Sequence, residues 1–261
     1  MKRLTLFLKG NLDVHDALHS CRVGGRVVWN GINDVLRERH PEWTARVKHE
    51  TMSRLDAVLA ASGTVPASIA ERDLALGSYP AAMQFSRAVF ESDADVIVLS
   101  ILGEVGTDLV RSRSDGSLFF PRESERWAEN DQAWLSAEFE PVPRLDAETS
   151  MANLSTVIGR IRQHGEAPIV IFNMSPIVPG ETIRCYQGID DAYSTRVRRW
   201  NLGLIDVSAA TGVSIVDVDT VLARAGADAL KLDMMHLTPQ GYRLVAEETV
   251  NVLEDLGVLE D

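Results

Sequence analysis

The sequence contains few cysteines, fewer basic than acidic residues, and no long apolar run. Its two cysteines, Cys21 and Cys185, are too few for a disulfide framework and stand in no metal-binding spacing, so we expect two unpaired thiols. Lysine and arginine number 26 against 38 aspartates and glutamates, which gives a net charge of −12. Nucleic acids and anionic membranes need clustered positive charge, so we expect neither as a partner.

The apolar stretches are also too short for secretion or membrane insertion. The run Leu4–Leu8 near the start is broken by Lys9 and is shorter than the apolar core of a signal peptide. No other run approaches the length that crosses a bilayer. With 45% hydrophobic and 25% charged residues, the composition is that of a globular protein. We expect a cytoplasmic protein with a single domain spanning residues 1–261.

The sequence does contain a regular alternation of short apolar runs with helical patterns. Strands are predicted at Leu4–Leu8, Ala45–Glu50 and Asp95–Leu102 and in the run APIVIF, with helical spacing between them. Runs that are apolar at successive positions, such as VIVLSIL, are typical of strands covered on both faces. The alternation predicts an α/β fold with a central parallel sheet.

Residues 111–149 interrupt this alternation. The segment is charged and contains Phe119, Phe120, Trp127 and Trp134. It is either a lid or partner-binding flap over a crevice, or a surface insertion with an aromatic core of its own. The first interpretation makes it a candidate surface for a homo- or hetero-oligomer. Both interpretations stay open on the sequence alone.

Three polar loops follow predicted strands directly. They are Gly10–Asp13, Gly103–Gly106 and Asn173–Pro176. In an open parallel sheet, the loops at the carboxyl ends of the strands surround the ligand crevice. We therefore expect these loops to lie around one site.

The strongest chemical signal is the pair Asp233 and His236, three residues apart. This spacing allows the carboxylate to bind one imidazole nitrogen, so that the other nitrogen becomes a general base. A helix is predicted directly after the pair, with Thr238 as its cap and Pro239 at its first position. The pattern indicates an acid–base pair held in a turn.

The sequence around this pair resembles the SGNH (GDSL-type) hydrolase superfamily. The stretch DMMHLTPQGY is similar to the family's Asp-x-x-His-Leu-Thr-Pro-x-Gly-Tyr block, and RLTLFLKGN and ADVIVLSILGE look like its first and third strands. The resemblance implies a three-layer α/β/α sandwich of the SGNH and flavodoxin-like type. It also implies that Asp233 and His236 are the catalytic acid and base, which in this family serve a serine that attacks an ester or thioester.

This chain departs from the family at the nucleophile. The family's Gly-Asp-Ser corresponds to Gly10, Asn11 and Leu12, so the serine is replaced by a side chain without a nucleophilic atom. An acyl-enzyme needs an activated hydroxyl or thiol. A serine esterase of the usual kind is therefore not expected from this alignment.

A second departure concerns the oxyanion hole. The family's Gly-x-Asn-Asp block reads Gly103 to Gly106 here, with Val105 in place of the asparagine, and the glycine of another block corresponds to Gly77. Losing one oxyanion donor costs about 10²–10³ in rate. The resemblance thus implies the family's fold and base without two of its defining side chains.

The polar residues near these positions are the candidate substrate contacts. We expect Asn11 and Asp13 to face His236 and to hold a polar, cationic group of a small substrate, with Glu104 as a second acidic contact. Other candidate binding residues are Gly77, Ser78 and Gly103. No pair of residues shows a recognised metal spacing, so we predict no metal and no cofactor.

Three functions stay open. The first is an enzyme in which His236 deprotonates water or the substrate itself, leading to hydrolysis, group transfer or intramolecular displacement. The second is a divergent esterase or deacylase whose nucleophile has moved to Ser78, Ser100 or Ser175. The third is a non-catalytic binding protein in which the aromatic residues of segment 111–149 contact a partner.

Overall fold

The computed structural model describes residues 1–183, 187–188 and 192–260, so Cys185 lies outside the described residues, whereas Cys21 is a buried free thiol. In chain order the strands are β1 (Lys2–Gly10), β2 (Cys21–Val23), β3 (Arg26–Trp29), β4 (Trp43–Thr51), β5 (Val96–Ser100), β6 (Val110–Ser112), β7 (Leu118–Phe119), β8 (Phe139–Pro141), β9 (Ile169–Phe172) and β10 (Ser214–Val216). The α-helices are α1 (Leu12–Leu18), α2 (Ile32–Arg39), α3 (Leu55–Ala60), α4 (Ala67–Ala70), α5 (Ala81–Gln84), α6 (Leu102–Gly106), α7 (Glu129–Glu138), α8 (Ala147–His164), α9 (Tyr193–Thr211), α10 (Val218–Ala225), α11 (Ala227–Leu230) and α12 (Pro239–Asp255).

Five strands form the central sheet, in the order β10-β9-β5-β1-β4, and every neighbouring pair is parallel. Their carboxyl ends therefore share one edge of the sheet. The expectation of an α/β fold with a parallel central sheet is confirmed.

Alternate residues of β1 point to opposite faces of the sheet, as a period of two requires. Leu6 and Leu8 belong to a core cluster that includes residues of α1, α2 and α12. Phe7 belongs to a second cluster, which includes residues of α3, α8 and α9. Each fully buried leucine contributes roughly 1.5–3 kcal/mol. The two clusters make the sheet the middle of three layers.

Two helices end, and a third helix begins, at the residues that their capping signals predict. Gly165 follows α8, and Gly212 ends α9 with a φ of 69°, a left-handed conformation that suits glycine. Thr238 caps α12 by accepting a hydrogen bond from the amide of Gly241 at 3.2 Å. Pro239 stands at the first position of that helix.

The stretch YPAAMQFSRAVFES differs from its predicted helix. Only α5 and a 3₁₀ turn at Ala88–Phe90 form there. Ser86 Oγ accepts a hydrogen bond from the amide of Ala88 and donates one to Glu50. A serine that bonds nearby backbone in this way competes with helix formation.

Segment 111–149 folds around an aromatic cluster. Strands β7, β6 and β8 form an antiparallel sheet, and Phe119, Trp127 and Phe139 are buried in a third cluster with Ile69 and Leu76. Trp134 packs edge-on against Phe139 with ring centroids 5.1 Å apart. These rings therefore contact one another inside the molecule.

No helix within the described ranges is long and apolar enough to cross a membrane.

Candidate active site

A cleft of about 420 Å³ opens at the carboxyl edge of the central sheet. Six parts of the chain build it: the residues directly after β1, the Ser78–Tyr79 turn, α6 with the residue that follows it, segment 111–149, the start of α9, and the loop before α12. Its walls are formed by Asn11, Leu12, Asp13, Ser78, Tyr79, Leu102, Gly106, Thr107, Phe120, Arg122, Arg144, Tyr193, Arg196, Met234, Met235 and His236.

The loop before α12 brings Asp233 and His236 into contact. Nδ1 of His236 lies 2.7 Å from Oδ2 of Asp233. The other carboxylate oxygen, Oδ1, accepts hydrogen bonds from the amides of Met235 and His236 at 2.7 and 2.8 Å. Burial disfavours the ionised carboxylate, but these hydrogen bonds outweigh it and lower the pKa of Asp233.

His236 presents its second nitrogen to the cleft. Its side chain is 43% exposed, and in the described part of the chain Nε2 makes no hydrogen bond. An ionised carboxylate on Nδ1 places the proton there and leaves Nε2 as the acceptor. The loop therefore holds an imidazole that can accept a proton from a group in the cleft.

Leu12 stands where the resemblance places the serine. It is the first residue of α1, and it lines the same cleft as His236. In the described ranges, no serine hydroxyl is hydrogen-bonded to the imidazole.

Asn11 is buried at the base of the cleft and ties three segments together. Its Nδ2 donates to the carbonyl of Met52 at 2.5 Å and to Tyr79 Oη at 2.9 Å, while its Oδ1 accepts from the amide of Gly103 at 3.2 Å. The carbonyl and the amide set this orientation, because each has only one hydrogen-bonding role. Tyr79 Oη then acts as an acceptor from Asn11 and keeps its own proton for the cleft.

Asp13 has one satisfied and one unsatisfied carboxylate oxygen. Its Oδ2 accepts a hydrogen bond of 2.5 Å from Ser100 Oγ, whereas its Oδ1 is buried without a partner. Burial raises the pKa of Asp13 above its usual value, against the opposing effect of the Ser100 hydrogen bond. An unpaired, desolvated carboxylate oxygen favours the protonated acid.

A smaller recess of about 30 Å³ adjoins the cleft at Asp13, Tyr193 and Met235, which line both spaces. Lys231 borders this recess and donates to the carbonyl of Ser175 at 3.1 Å. Burial lowers the pKa of Lys231 to about 8. The recess is too small for more than a compact substituent.

The structure does not bring Glu104 to the cleft. Its side chain is buried, with Oε1 accepting from the amide of Leu55 at 2.6 Å and Oε2 accepting from Ser150 Oγ at 2.5 Å. Burial raises the pKa of Glu104 to about 7. Its carboxyl group joins α3 to α8, so the expected second acidic contact with substrate is not formed.

Position 103 requires glycine, because the backbone there lies too close to the backbone of Ser53 for a side chain to fit. A Cβ at this position would lie 2.0 Å from the carbonyl oxygen of Ser53. The same glycine supplies the amide that Asn11 binds. Gly103 therefore supports the base of the cleft and does not line it.

Gly77 has a φ of 55°, and a Cβ there would meet Nη1 of Arg122 at 3.0 Å. Its neighbour Ser78 lines the cleft and accepts a hydrogen bond of 2.5 Å from the same Nη1. Arg122 also lies over the ring of Tyr79, with its Cζ 5.6 Å from the ring centroid. The Gly77–Ser78 turn thus positions an arginine that belongs to segment 111–149.

The charge of the cleft differs from the sequence-based expectation. Its lining includes three arginines, Arg122, Arg144 and Arg196, but Asp13 is its only carboxylate within the described ranges. The expected cationic substrate group does not suit such walls. The arginines lie on segments far from Asp13 in sequence, so the alignment did not place them near the site.

Of the three serines that could serve as a relocated nucleophile, Ser100 and Ser175 do not line the cleft that contains His236. Ser100 is 1% exposed and bound to Asp13, and Ser175 is 5% exposed with its Oγ near the amide of Ile177. Only Ser78 of the three candidates lines the cleft.

In the ranges that the structure describes, no group of three or more histidine, cysteine, aspartate or glutamate side chains is placed to hold a metal ion.

Sequence reasoning missed Tyr79 and the three arginines of the cleft as site residues. Tyr79 could have been found from its position directly after the Gly77–Ser78 turn. The three arginines carry no such signal, because nothing in their own segments distinguishes them from other surface arginines. Burial raises the pKa of Tyr79 to about 12, so it stays a hydrogen-bond donor at neutral pH.

Solved structures with the same fold include hydrolases. LAE5, an alpha/beta hydrolase enzyme from the metagenome of Lake Arreo, matches with a TM-score of 0.54 at 15% identity, covering 99% of this chain and 97% of that one. Axe2, an acetylxylan esterase from Geobacillus stearothermophilus, matches with a TM-score of 0.54 at 14% identity over 97% and 94% of the two chains. A lipolytic protein of the G-D-S-L family from Veillonella parvula matches with a TM-score of 0.51 at 12% identity over 96% and 98%.

Structural matches at such low sequence identity show that this chain shares their fold. Among curated protein sequences, none matches this chain. The model of the GDSL-like Lipase/Acylhydrolase family matches residues 15–244, a range that begins within α1 and leaves out Leu12 and Asp13. That match spans most of the sequence, so the chain belongs to the GDSL-like lipase/acylhydrolase family.

Proposed function

We propose that this protein hydrolyses an ester of a small polar molecule by direct attack of water, without an acyl-enzyme. The observation that carries the proposal is the cleft itself, in which Leu12 stands beside His236 at the serine position. An imidazole oriented by a carboxylate can activate water as readily as a side-chain hydroxyl. The family and the acetylxylan esterase Axe2 support an acyl ester as the substrate bond.

His236 is the general base in this proposal. Its Nδ1 is held by Asp233 at 2.7 Å, so Nε2 faces the cleft as the proton acceptor. Asp233 also stabilises the imidazolium that forms when Nε2 takes the proton from water. The resulting hydroxide oxygen forms a bond to the acyl carbon.

Tyr79 supplies the donor to the developing oxyanion. Asn11 Nδ2 donates to Tyr79 Oη, so the phenol proton is directed elsewhere. Such a donor compensates for Val105, which stands in place of the family's asparagine and cannot donate from its side chain.

Asp13 is the general acid. When the carbon–oxygen bond of the tetrahedral intermediate breaks, the protonated Asp13 passes its proton to the leaving oxygen. The proton held by His236 then returns through solvent to Asp13, which restores both side chains, and the carboxylic acid product leaves. If an acceptor hydroxyl replaces water, the same residues carry out group transfer.

The test compares His236→Ala with the wild-type protein on a panel of short acyl esters. We expect kcat/KM to fall by about 10³-fold or more, because the base is lost. Asp233→Asn keeps the imidazole but no longer holds its tautomer, so it should show a large loss as well. Unchanged turnover in both variants would favour a non-catalytic binding protein.

A gain-of-function variant separates direct hydrolysis from a relocated serine. Wild-type protein should not be labelled by a fluorophosphonate probe, whereas Leu12→Ser places a hydroxyl in the same cleft as His236 and should be labelled. Leu12→Ser combined with His236→Ala should lose that labelling. Labelling of the wild type that disappears in Ser78→Ala would instead establish the divergent serine esterase.

A further inference from the structure

We infer that the substrate carries a second, anionic group, a carboxylate or a phosphate, which binds the arginine wall of the cleft that also contains His236. The arginine wall is defined as Arg122, Arg144 and Arg196, all of which line the cleft. This inference rests on the proposed function, because it names the class of molecule whose ester is hydrolysed.

The sign of the cleft is opposite to that of the protein. The chain has a net charge of −12, yet the acidic and basic residues of the described cleft lining are three arginines, Asp13 and His236. With Asp13 protonated, as its buried and unpaired Oδ1 favours, the cleft has no negative side chain among its described lining residues. A concave positive region on an acidic protein attracts anions selectively.

Arg122 has the geometry of a binding residue. Its Nη1 donates to Ser78 Oγ at 2.5 Å, and the Gly77 backbone permits this approach. Ser78 Oγ therefore accepts from the guanidinium, and its own proton is available to an anion beside Arg122. A guanidinium and a hydroxyl that are already joined can bind two oxygens of one carboxylate or phosphate.

Arg144 and Arg196 are held by the protein. Arg144 makes a bidentate pair with Asp108, with N···O distances of 2.7 and 2.9 Å. Arg196 donates to the carbonyl of Val105 at 2.7 Å. Both guanidinium groups are thus fixed at the cleft before a ligand arrives, which lowers the entropic cost of binding.

An anion bound beside Arg122 would also account for the surroundings of the Ser78 hydroxyl. Ser78 lines the cleft, but its hydroxyl is bound by an arginine. A positive neighbour without a proton acceptor makes Ser78 a donor to substrate and does not make it a nucleophile. The anionic group and the scissile ester would then occupy different parts of the same space.

The experiment measures anion binding without turnover. Inorganic phosphate and succinate are titrated separately into wild-type protein by calorimetry at low ionic strength. We expect saturable binding of at least one anion, and the tighter of the two identifies the group as phosphate or carboxylate. Arg122→Gln should raise Kd by about ten-fold or more, since a charge-assisted pair is lost.

Two variants serve as controls. Arg126→Gln removes an arginine from the same segment, but its side chain is 74% exposed and does not line the cleft, so Kd should not change. Arg122→Lys keeps the charge and loses the forked geometry, so its Kd should lie between those of wild type and Arg122→Gln. Equal binding by wild type and Arg122→Gln, or no saturable binding of either anion, overturns the inference.

Failure of the anion site and failure of the proposed reaction give different results. His236→Ala should bind the anion with wild-type affinity, because the imidazole is not part of the arginine wall. If wild type hydrolyses esters through His236 but binds neither anion, the reaction stands and the inference falls. If the anion binds normally but His236→Ala leaves turnover unchanged, the arginine wall stands and the proposed mechanism falls.

Discussion

The two halves of the cleft are built in different ways. The Asp233–His236 loop is exposed, and its hydrogen bonds join residues two to four positions apart. The opposite half, around Asn11 and Asp13, is largely buried, and its bonds reach residues 68 and 87 positions away. The local half can hold its geometry alone, whereas the buried half depends on the whole fold.

Because of this difference, the ionisable groups of the two halves of the cleft have different chemical properties. An exposed imidazole exchanges protons with solvent easily, as a base must. A buried carboxyl keeps its proton and is destabilised when ionised. A change in the exposed loop should therefore alter catalysis with little effect on folding, and a change in the buried half should alter both. The following substitutions test that contrast.

Asp13→Asn should have the largest effect in the buried half. Loss of the proton donor should lower kcat/KM by about 10²–10³-fold. A general acid works only while protonated, so wild-type activity should fall as pH rises through the raised pKa of Asp13. That alkaline decline should disappear in Asp13→Asn, as seen in a profile of kcat/KM against pH.

The thermal stability of Asp13→Asn serves as a control for its effect on folding. Ionised Asp13 is disfavoured in the folded protein, so wild-type stability should decrease as pH rises through its raised pKa. Asparagine does not ionise, and Asp13→Asn should therefore have an equal or higher Tm at pH 8. A lower Tm together with an unchanged shape of the pH profile would assign Asp13 a structural role.

Tyr79→Phe should have an intermediate effect. It removes one donor to the oxyanion and should lower kcat by about 10–10²-fold with little change in KM. The ring, which contacts Phe120 and Arg122, is retained. A rise in KM at constant kcat would instead show that Tyr79 binds the ground state, and steady-state kinetics distinguish the two.

His49→Gln should have the smallest effect, and that effect should be on stability. His49 Nε2 donates to the carbonyl of Gly10 at 3.1 Å, and burial together with His15 lowers its pKa to about 4 from 6.5. Between those two pH values the unfolded chain binds the proton and the folded protein does not, so stability falls as pH decreases. We expect His49→Gln to reduce this loss by about 1–2 kcal/mol.

Urea unfolding at pH 7 and pH 4.5 measures that difference. Glutamine can still donate to the Gly10 carbonyl, so any change reports the titration and not the lost contact. His236→Ala, on the exposed half, is the control, because it removes an exposed imidazole and not a buried one. If His236→Ala and His49→Gln behaved alike, the proposed contrast between the two halves would be wrong.

The parts that could be predicted from the sequence are those whose causes are local. The strands of the central sheet follow from period and composition, and the contact between Asp233 and His236 follows from their spacing in a turn. The orientation of Glu104 could not be predicted, because it depends on Leu55 and Ser150 from two other helices.

The arginine wall could not be predicted from the sequence for the same reason. Arg122 reaches the cleft only because the Gly77–Ser78 turn and segment 111–149 meet in space. Residue types alone indicated an acidic site around Asp13 and Glu104, whereas the folded chain turns Glu104 inward and adds arginines. Charges at a site depend on tertiary contacts that a single sequence does not display.

Segment 111–149 carries one further consequence. It packs around Phe119, Trp127 and Phe139, and Arg54 ties its end to the body through the carbonyl of Pro143 at 3.2 Å. The two arginines that this segment contributes to the cleft, Arg122 and Arg144, thus have a hydrophobic support separate from the loop that holds Asp233 and His236. Over evolutionary time such a segment can be exchanged or remodelled to accept a new metabolite while the inherited base is left untouched.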